Sequence, residues 1–329
     1  MLNVALDTTP LALTRAGTAR HLRNLLAELE GAPELRIERH SFGARGRVFV
    51  PARDIGWYLS ALPWLARHAD VLHCPTHRAP VRSSVPLVVT FHDLAVLRHP
   101  ETFNAWARNY GRVVLPAVAR AAVGIIAVSE FTAEELVQLL SVPEKKIRVI
   151  PNAVGPPFSA DGAVEEGEYV LAVGTLEPRK NVPALVEGFR RANLNGCELR
   201  VVGDRGWGDV EPANGVRWLG RVPDEELARL YRGARCVAYV SLYEGFGLPV
   251  LEAMACGTAV VSSDLPPVRE FGRGVIRVDP RDPDAIAAGL AEATARREEL
   301  GREGQAAAAS YDWPRVASQT LEVYREVAA

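Results

Sequence analysis

Residues 241–252 have the sequence SLYEGFGLPVLE, and the fold of the chain is decided here. The apolar run from Cys236 to Val240 predicts a buried strand just before it. Pro249 suits the first position of a helix, where its missing N–H costs nothing. A strand that passes through a glycine-bearing loop into a helix N-terminus is typical of an anion site in an open α/β sheet. The stretch therefore predicts a ligand-binding turn in a parallel sheet.

Two carboxylates, Glu244 and Glu252, frame this loop, and we expect Glu252 in the first turn of the helix. They would repel a bare phosphate, so they favour a ligand that also carries hydroxyls, such as a nucleotide sugar. Glu252 would accept hydrogen bonds from a ribose diol, and Glu244 from sugar hydroxyls. The N–H groups of Phe246, Gly247 and Leu248 would reach the sugar or phosphate, since glycine permits close backbone approach. The alternative is a tight turn with two solvated glutamates.

The composition is that of a globular protein, with 329 residues, 48% hydrophobic and 24% charged, which is enough for two domains. Four scattered cysteines, Cys74, Cys197, Cys236 and Cys256, form no C-x-x-C pair, which argues against zinc and disulfides and favours a reducing cytoplasm. The N-terminus does not resemble a signal peptide, and no apolar run is long enough to span a membrane.

Charge is spread unevenly along the chain. Residues 1–160 carry 18 Lys and Arg against 13 Asp and Glu, whereas the remainder carries 20 against 27, for a net charge of −2. The basic first half favours an anionic acceptor, or peripheral contact with the inner face of a membrane, with a chance scatter of charges as the alternative. The helix expected over residues 54–68 carries Trp57, Tyr58 and Trp64, as a core helix or a membrane-facing one. Direct nucleic-acid binding is not expected, because no basic-aromatic stripe is visible.

Strands alternate with helices in both halves, which predicts an α/β protein with two doubly wound parallel sheets. We expect a first domain over residues 1–158 and a second over residues 165–311. The acidic segment from Gly155 to Gly167, with its prolines and glycines, is the predicted linker. The last helix, within residues 312–329, is expected to pack back on the first domain.

Candidate site residues in the first half lie where strands end or helices begin. Gly17 precedes a helix, where its amide could meet a phosphate, with a plain turn as the alternative. His92 and Asp93 follow the strand that ends at Phe91, at the edge where α/β sheets gather ligands. A core histidine is the alternative for His92. Thr132 is predicted to cap the next helix.

In the second half, Gly174 opens the stretch GTLEPRKN, in which Arg179 and Lys180 stand just before a helix. Arginine can grip phosphate oxygens with two N–H groups, and lysine adds a mobile charge. A helix N-terminus disfavours cations, so their placement is best explained by a bound anion, such as a departing diphosphate. A solvated Arg-Lys pair is the alternative.

Together these motifs resemble the retaining glycosyltransferases of family 4, including its mannosyltransferase-like group 1 members. Glu244 to Glu252 resembles the family's E-x7-E motif, residues 174–181 its donor-phosphate loop, and residues 90–94 its HDL segment. Residues 128–132, 150–153 and 203–207 fit the same pattern. The resemblance covers nearly the whole chain. It implies the GT-B fold, in which two Rossmann-like domains face each other across a cleft that holds the active site.

The family's roles carry over to matching positions only. Arg179 and Lys180 would stabilise the leaving diphosphate, Glu244 with residues 245–248 (Gly245, Phe246, Gly247 and Leu248) would hold the sugar, and Glu252 the ribose. His92 would lie beside the reacting face of the sugar. Gly17 and Gly174 would approach the diphosphate, and Val222 the base.

The resemblance implies an enzyme that moves a hexose from a nucleotide sugar to a glycan, lipid-linked or small-molecule acceptor. The HDL pattern resembles mannosyl- and rhamnosyltransferases of polysaccharide biosynthesis, so GDP-mannose is the expected donor, with UDP-sugars next. No cofactor or metal is expected, because the cations take the place of a diphosphate-bound ion. The alternatives are a catalytically silent GT-B partner protein and a nucleotide-sugar epimerase. The missing G-x-G-x-x-G counts against a nicotinamide oxidoreductase.

Overall fold

The computed structural model describes residues 1–14, 17–44, 46, 49–204 and 214–329. These residues form two compact units, and each unit holds one six-stranded sheet whose paired strands are all parallel. The first unit comprises Met1–Ala153 together with Trp313–Ala329, and the second comprises Val154–Asp312. The predicted fold class, α/β with two doubly wound parallel sheets, is therefore confirmed.

The sheet of the first unit has the order β2-β1-β3-β4-β5-β6. Its inner strands are continuous apolar runs because helices cover both faces of a parallel sheet. The chain moves outward from β1 to β2 and then returns to the other side of β1, so the order reverses between β1 and β3. The strands are β1 (Leu2–Asp7), β2 (Leu35–His40), β3 (Val71–Cys74), β4 (Leu87–Phe91), β5 (Gly124–Ala127) and β6 (Ile147–Val149).

Among the described helices of the first unit that precede residue 154, α2 and α7 are the long α-helices. A π-helical segment, Ala52–Ala61, runs into α3, and a second, Tyr110–Val114, joins α5 to α6. Pro63 and Pro116 each lie in the first turn of the helix that follows, where proline is tolerated. The helices are α1 (Thr9–Leu13), α2 (Gly17–Glu30), α3 (Leu62–Leu65), α4 (Ala95–Arg98), α5 (Ala105–Asn109), α6 (Leu115–Ala121) and α7 (Glu130–Leu140).

The cap of α7 differs from the sequence prediction. Ser129 is the N-cap residue, and its side chain accepts a hydrogen bond from the backbone N–H of Thr132. Thr132 lies inside the helix, fully buried, with its hydroxyl bonded to Ser129. The prediction of a Thr132 cap was therefore wrong by three residues. Either hydroxyl residue can cap, and the extended backbone of Ser129 decides which one does.

The last helix, α14 (Trp313–Ala328), contributes to the core of the first unit. Its buried side chains include Val316, Leu321 and Tyr324, which pack against the sheet and α2. The Tyr324 hydroxyl lies 2.6 Å from Nδ1 of His73, a buried residue of β3. A residue near the end of the chain thus helps to hold a strand near its beginning.

The sheet of the second unit has the order β12-β11-β10-β7-β8-β9, which reverses between β7 and β10. Its strands are β7 (Tyr169–Val173), β8 (Glu198–Val202), β9 (Val216–Gly220), β10 (Cys236–Tyr239), β11 (Val260–Ser263) and β12 (Val275–Val278). Its helices are α8 (Val182–Ala192), α9 (Asp224–Gly233), α10 (Leu248–Ala255), α11 (Pro266–Arg269), α12 (Pro283–Ala295) and α13 (Arg297–Ala308). Their apolar faces and the inner strands form a buried core that includes Val170, Leu199, Ala238, Val261 and Ile286.

Within the described part of the chain, no helix is both long enough and apolar enough to cross a membrane.

Candidate active site

The site predicted in the second unit lies where the strand order of its sheet reverses. The loop after β7 carries Gly174 to Asn181, and the loop after β10 carries Val240 to Gly247. β7 and β10 are neighbours in the sheet, so both loops leave the same edge side by side. A crevice forms at such a reversal because the flanking connections run to opposite faces, and ligands of open α/β sheets bind there.

The two cations stand on a single turn of 3-10 helix, Pro178–Lys180, which ends at Asn181. Asn181 adopts a left-handed backbone, with φ at 55°, which asparagine tolerates better than most residues. Its amide nitrogen donates to the carbonyls of Val240, at 3.2 Å, and Pro280, at 2.6 Å. Asn181 therefore fixes the cationic turn to the end of β10 and to the loop after β12.

Four charged side chains form one connected group, which we call the ion network: Glu177, Arg179, Lys180 and Glu244. Arg179 Nη2 donates to Glu177 Oε1 at 2.6 Å. Its Nη1 donates to Glu244 Oε2 at 2.9 Å and to the Tyr243 carbonyl at 3.0 Å. Each of these four side chains is no more than 15% exposed. The structure thus brings together three predicted residues, Arg179, Lys180 and Glu244.

Lys180 completes the ion network from the other side of Glu244. Its Nζ donates to Glu244 Oε1 at 2.7 Å and to the Tyr239 hydroxyl at 2.9 Å. Burial alone would raise the pKa of Glu244, but Arg179 and Lys180 outweigh it and bring that pKa to about 2. Burial lowers the pKa of Lys180, and Glu244 opposes part of that effect. The alternative of a solvated Arg-Lys pair is therefore wrong.

The predicted helix start after β10 is α10, and Gly247 is its N-cap residue with φ at 106°. Only glycine adopts this left-handed conformation readily. Among the described residues, the N–H groups of Gly247 and Leu248 have no hydrogen-bond partner, as expected at a helix N-terminus that can meet an anion. The Phe246 ring is buried against Phe271 and Tyr311, so this residue can offer a ligand only its backbone.

Glu252 is buried, with 2% exposure, and lies apart from the ion network. Its carboxylate accepts a hydrogen bond from the Tyr231 hydroxyl at 3.0 Å. α10 begins at Leu248, so Glu252 is its fifth residue and lies in the second turn, rather than in the first turn as predicted. Because Glu244 is also buried, at 7% exposure, the alternative of two solvated glutamates is wrong.

His92 of the first unit has its ring orientation fixed by two neighbours. Its Nε2 lies 3.0 Å from the Pro75 carbonyl, which can only accept, so this nitrogen carries the hydrogen. The ring packs edge-to-face against His21 of α2, with centroids 5.0 Å apart, and His21 packs in turn against Trp313. Burial lowers the pKa of His92, which favours the neutral ring. Gly17 is exposed at the start of α2.

Other predicted residues border the site or lie apart from it. Gly174 lies against Lys180, since a Cβ atom there would be 3.3 Å from the lysine side chain. Val222 is half-buried in the loop between β9 and α9, and Gly245 is buried beside Glu244. Of the motif at residues 203–207, Arg205, Gly206 and Trp207 lie outside the described residues.

Sequence reasoning missed three residues that shape the ion network: Glu177, Asn181 and Tyr239. Glu177 and Asn181 belong to the GTLEPRKN stretch, but within it the sequence indicated a side-chain role in binding only for the two cations. An asparagine directly before a predicted helix could have indicated the left-handed turn. Tyr239 had no such signal, because a tyrosine near the end of a buried strand is equally typical of the core. Among the described residues, no cluster of three or more His, Cys, Asp or Glu could hold a metal ion.

Two family models match the two units in turn. The model for glycosyltransferase family 4 matches residues 15–156, and the model for glycosyl transferases group 1 matches residues 158–309. The chain is also 32% identical over 283 residues to the O-antigen chain mannosyltransferase B of Escherichia coli, a match that covers 78% of this chain and 74% of that protein. The chain is a family 4 glycosyltransferase.

Another relative agrees with this family 4 membership, and a solved structure shares the fold. The chain is 32% identical over 295 residues to a phosphatidyl-myo-inositol mannosyltransferase of Mycobacterium tuberculosis, covering 80% of this chain and 76% of that protein. The crystal structure of HepE from Anabaena, solved in complex with UDP and glucose, superimposes with a TM-score of 0.77 at 17% identity. That match covers 99% of this chain and 100% of HepE. The predicted GT-B fold and the predicted enzyme class, a glycosyltransferase, are confirmed.

Proposed function

We propose that this enzyme transfers a mannosyl residue from GDP-mannose to an acceptor hydroxyl with retention of anomeric configuration. The observation that carries the proposal is the convergence of Arg179 and Lys180 on Glu244, beside the N-terminus of α10. The two mannosyltransferase relatives support the choice of sugar. A UDP-sugar donor is the second candidate, because HepE was solved with UDP and glucose.

In the proposed reaction, the bond between the anomeric carbon and the diphosphate oxygen breaks through an oxocarbenium-like state. Negative charge develops on the departing oxygen, and Arg179 and Lys180 stabilise it. A well-placed donor of this kind contributes about 3–4 kcal/mol. The acceptor oxygen forms the new bond on the face that the diphosphate leaves. Its proton passes to an oxygen of the leaving phosphate, so no side chain needs to act as base or nucleophile.

The remaining predicted residues keep their proposed roles in binding. Glu252 would bind the ribose, with Val222 near the base, and Glu244 with residues 245–248 would bind the sugar. Gly17 and Gly174 are proposed to approach the diphosphate. His92 is proposed to contact the sugar, and its bond to Pro75 leaves Nδ1 as a hydrogen-bond acceptor. We assign donor binding to the second unit and acceptor binding to the first, and we propose that no metal ion takes part.

The test is a calorimetric titration of the wild type and of Lys180→Ala with GDP, UDP, ADP and dTDP. Binding of GDP that is weakened in the variant would support the proposal. Binding of UDP in place of GDP would select the second candidate. If the folded wild type binds none of the four, a catalytically silent partner protein becomes the better account. Incubation with donor alone, followed by product analysis, tests the epimerase alternative.

Retention needs a separate measurement on the product. The one-bond C–H coupling at the anomeric carbon distinguishes α from β linkages of mannose, whose ring protons couple too weakly to do so. An α-linked product from α-linked GDP-mannose is the expected result. A β-linked product would contradict the proposed stereochemistry and call for a general base on the opposite face.

We also propose that a lipid-borne acceptor is reached through the helical segments Ala52–Ala61, α3 and α5 to α6. Five large apolar side chains are exposed there: Ile55, Leu59, Trp64, Trp106 and Val113. Arg108 and Arg112 are exposed in these segments, and Arg67 is exposed in the 3-10 turn that follows α3. The one carboxylate of these segments, Asp54, is buried and paired with Arg53 and Arg78. We call these eight exposed residues the apolar-basic surface. Apolar side chains among cations suit an anionic lipid surface.

Trp106 and Asp54 connect the two parts of the apolar-basic surface. The Trp106 indole donates to Asp54 Oδ2 at 2.8 Å, so the start of α5 is tied to the π-helical segment. The Arg67 guanidinium stacks 4.1 Å above the Trp64 ring, an amphipathic pair suited to a headgroup region. We propose a cytoplasmic location at the inner face of the membrane, and the four free cysteines fit a reducing compartment.

A further inference from the structure

The ion network contains as many carboxylates as cations. Arg179 lies between Glu177 and Glu244, and Lys180 pairs with Glu244. The formal charge of the four side chains together is zero. A diphosphate that enters this site would therefore meet two cations already neutralised by two carboxylates, which a simple cation clamp does not explain.

The two carboxylates are placed differently with respect to the cations. Glu244 bridges both cations through its two oxygens, at 2.9 Å from Arg179 and 2.7 Å from Lys180. Glu177 contacts Arg179 through Nη2, and its backbone carbonyl accepts from the N–H of Lys180 at 2.9 Å. Glu177 thus belongs to the cationic turn itself, whereas Glu244 reaches the turn from the loop after β10.

We propose that Glu177 is a positioning residue, which holds the guanidinium of Arg179 in place while Glu244 turns from the cations to the donor sugar. This inference rests on the proposed function. When Glu244 releases Nη1, the guanidinium keeps its contacts with Glu177 on Nη2 and with the Tyr243 carbonyl on Nη1. These contacts fix the plane of the Arg179 guanidinium. Its N–H groups therefore keep a defined direction toward the departing phosphate.

The two functions of Glu177, its charge and its orienting contact, have opposite effects on binding and on turnover. Its negative charge weakens the attraction between Arg179 and a diphosphate, so its removal should tighten binding. Its hydrogen bond orients the guanidinium for the transition state, so its removal should slow turnover. A residue with a structural role alone would lower stability and leave both quantities unchanged.

The test compares the wild type with Glu177→Gln by calorimetric titration with pyrophosphate and with GDP. We expect both ligands to bind about tenfold more tightly to the variant, because the net charge of the network rises by one. Turnover, followed as GDP release from GDP-mannose, should fall about tenfold, because the neutral glutamine amide holds the guanidinium with a weaker hydrogen bond than the carboxylate does. Glu177→Asp keeps the charge on a shorter side chain, and should restore wild-type affinity for pyrophosphate.

A matched control is Glu187→Gln on α8, which removes the same charge from a partly exposed carboxylate, outside the ion network, that pairs with Arg190 and Arg191. It should change neither affinity nor turnover. Unchanged pyrophosphate affinity and unchanged turnover in Glu177→Gln would overturn the role of Glu177, and so would a parallel loss of both. Absence of any nucleoside diphosphate binding to the wild type is a different result, which would overturn the proposed function and this role with it.

Discussion

Lys180 Nζ and Glu244 Oε1 lie 2.7 Å apart, although 64 residues separate them in the sequence. The contact joins the loop after β7 to the loop after β10, and both partners are largely buried. A buried ion pair is costly to break from one side, because the remaining charge loses its partner in a poorly solvated place. Loss of either side chain would therefore disturb both the positions of the two loops and the charge of the site.

Replacement of Lys180 by alanine should weaken GDP binding and slow mannosyl transfer by about a hundredfold or more, since one donor to the developing charge is lost. Titration and a transfer assay measure the two effects. Arg190→Ala, on α8 with its side chain 74% exposed, should leave both unchanged. Equal activities of the wild type and Lys180→Ala would exclude the lysine from the reaction.

Gly203→Ala should destabilise the second unit and reduce GDP affinity together. A Cβ atom at residue 203 would lie 2.0 Å from the carbonyl oxygen of Gly174, so the loop that leads to the cations must move. We expect a loss of about 3 kcal/mol in the free energy of unfolding, measured with urea.

The control for Gly203 is Gly196→Ala. Gly196 also has a positive φ, at 71°, but a Cβ atom there meets no described atom within 4 Å. Gly196→Ala should lower the free energy of unfolding by about 1 kcal/mol, through backbone strain alone, and should leave the affinity for GDP unchanged. If the two variants behave alike, the close approach of Gly203 to Gly174 is not important.

His73 should make the protein less stable as the pH falls from 7 to 5. Its ring is fully buried, bonded to Tyr324 and Thr90, and burial lowers its pKa from 6.5 to about 3. Below pH 6.5 the unfolded chain binds a proton that the folded protein does not bind. The free energy of unfolding therefore decreases, by about 2 kcal/mol at pH 5 from this group.

Urea unfolding at the two pH values checks this prediction. His73→Gln should be less stable than the wild type at pH 7 and should show a shallower decrease toward pH 5. The exposed His68 gives the comparison, and His68→Gln should keep the wild-type slope. A wild-type slope in His73→Gln would assign the pH dependence to other groups.

The apolar-basic surface should bind vesicles that contain phosphatidylglycerol more strongly than vesicles of phosphatidylcholine, and added salt should weaken the binding. Each cation near an anionic surface contributes about 1 kcal/mol. Ile55→Ser with Trp64→Ser should reduce co-sedimentation about tenfold. Val164→Ser, which removes an apolar side chain 53% exposed in the second unit, is the control. Equal binding to the two kinds of vesicle would contradict the proposed role of the apolar-basic surface in membrane binding.

Excess EDTA should leave the rate of mannosyl transfer unchanged. The reason is that we propose Arg179 and Lys180, without a metal ion, to stabilise the negative charge on the departing diphosphate. The readout is GDP release before and after dialysis against the chelator. A loss of activity that Mg²⁺ or Mn²⁺ restores would contradict this part of the mechanism and would indicate a metal that binds with the donor diphosphate.

Much of the fold could be predicted because buried parallel strands are short apolar runs. The strand predicted from Cys236 to Val240 is β10, Cys236–Tyr239, and the strand predicted to end at Phe91 is β4, which ends there. Local rules were less decisive where two residues could do the same task, as with Ser129 and Thr132 at the start of α7. The position of Glu252 in α10 was also missed, because the sequence did not fix the residue at which that helix begins.

For the site, the sequence identified the cations and the two glutamates but not their mutual contacts. The pairing of Arg179 with Glu244 depends on β7 and β10 being neighbours, which no local pattern specifies. The same holds for His92, whose contact with His21 joins the end of β4 to α2. The neutral charge of the ion network is therefore a property of the fold, and the individual roles of its residues stay predictions.

The placement of α14 has a consequence for how the protein is made. The second unit is one continuous stretch of chain, whereas the first needs Trp313–Ala329 to cover the face of its sheet. On a ribosome, the first unit is begun first and completed last, after the whole second unit has been synthesised. Until then, the partners of Trp313 and Tyr324 face water, and this half-built unit is the form in which a chaperone would meet the nascent chain.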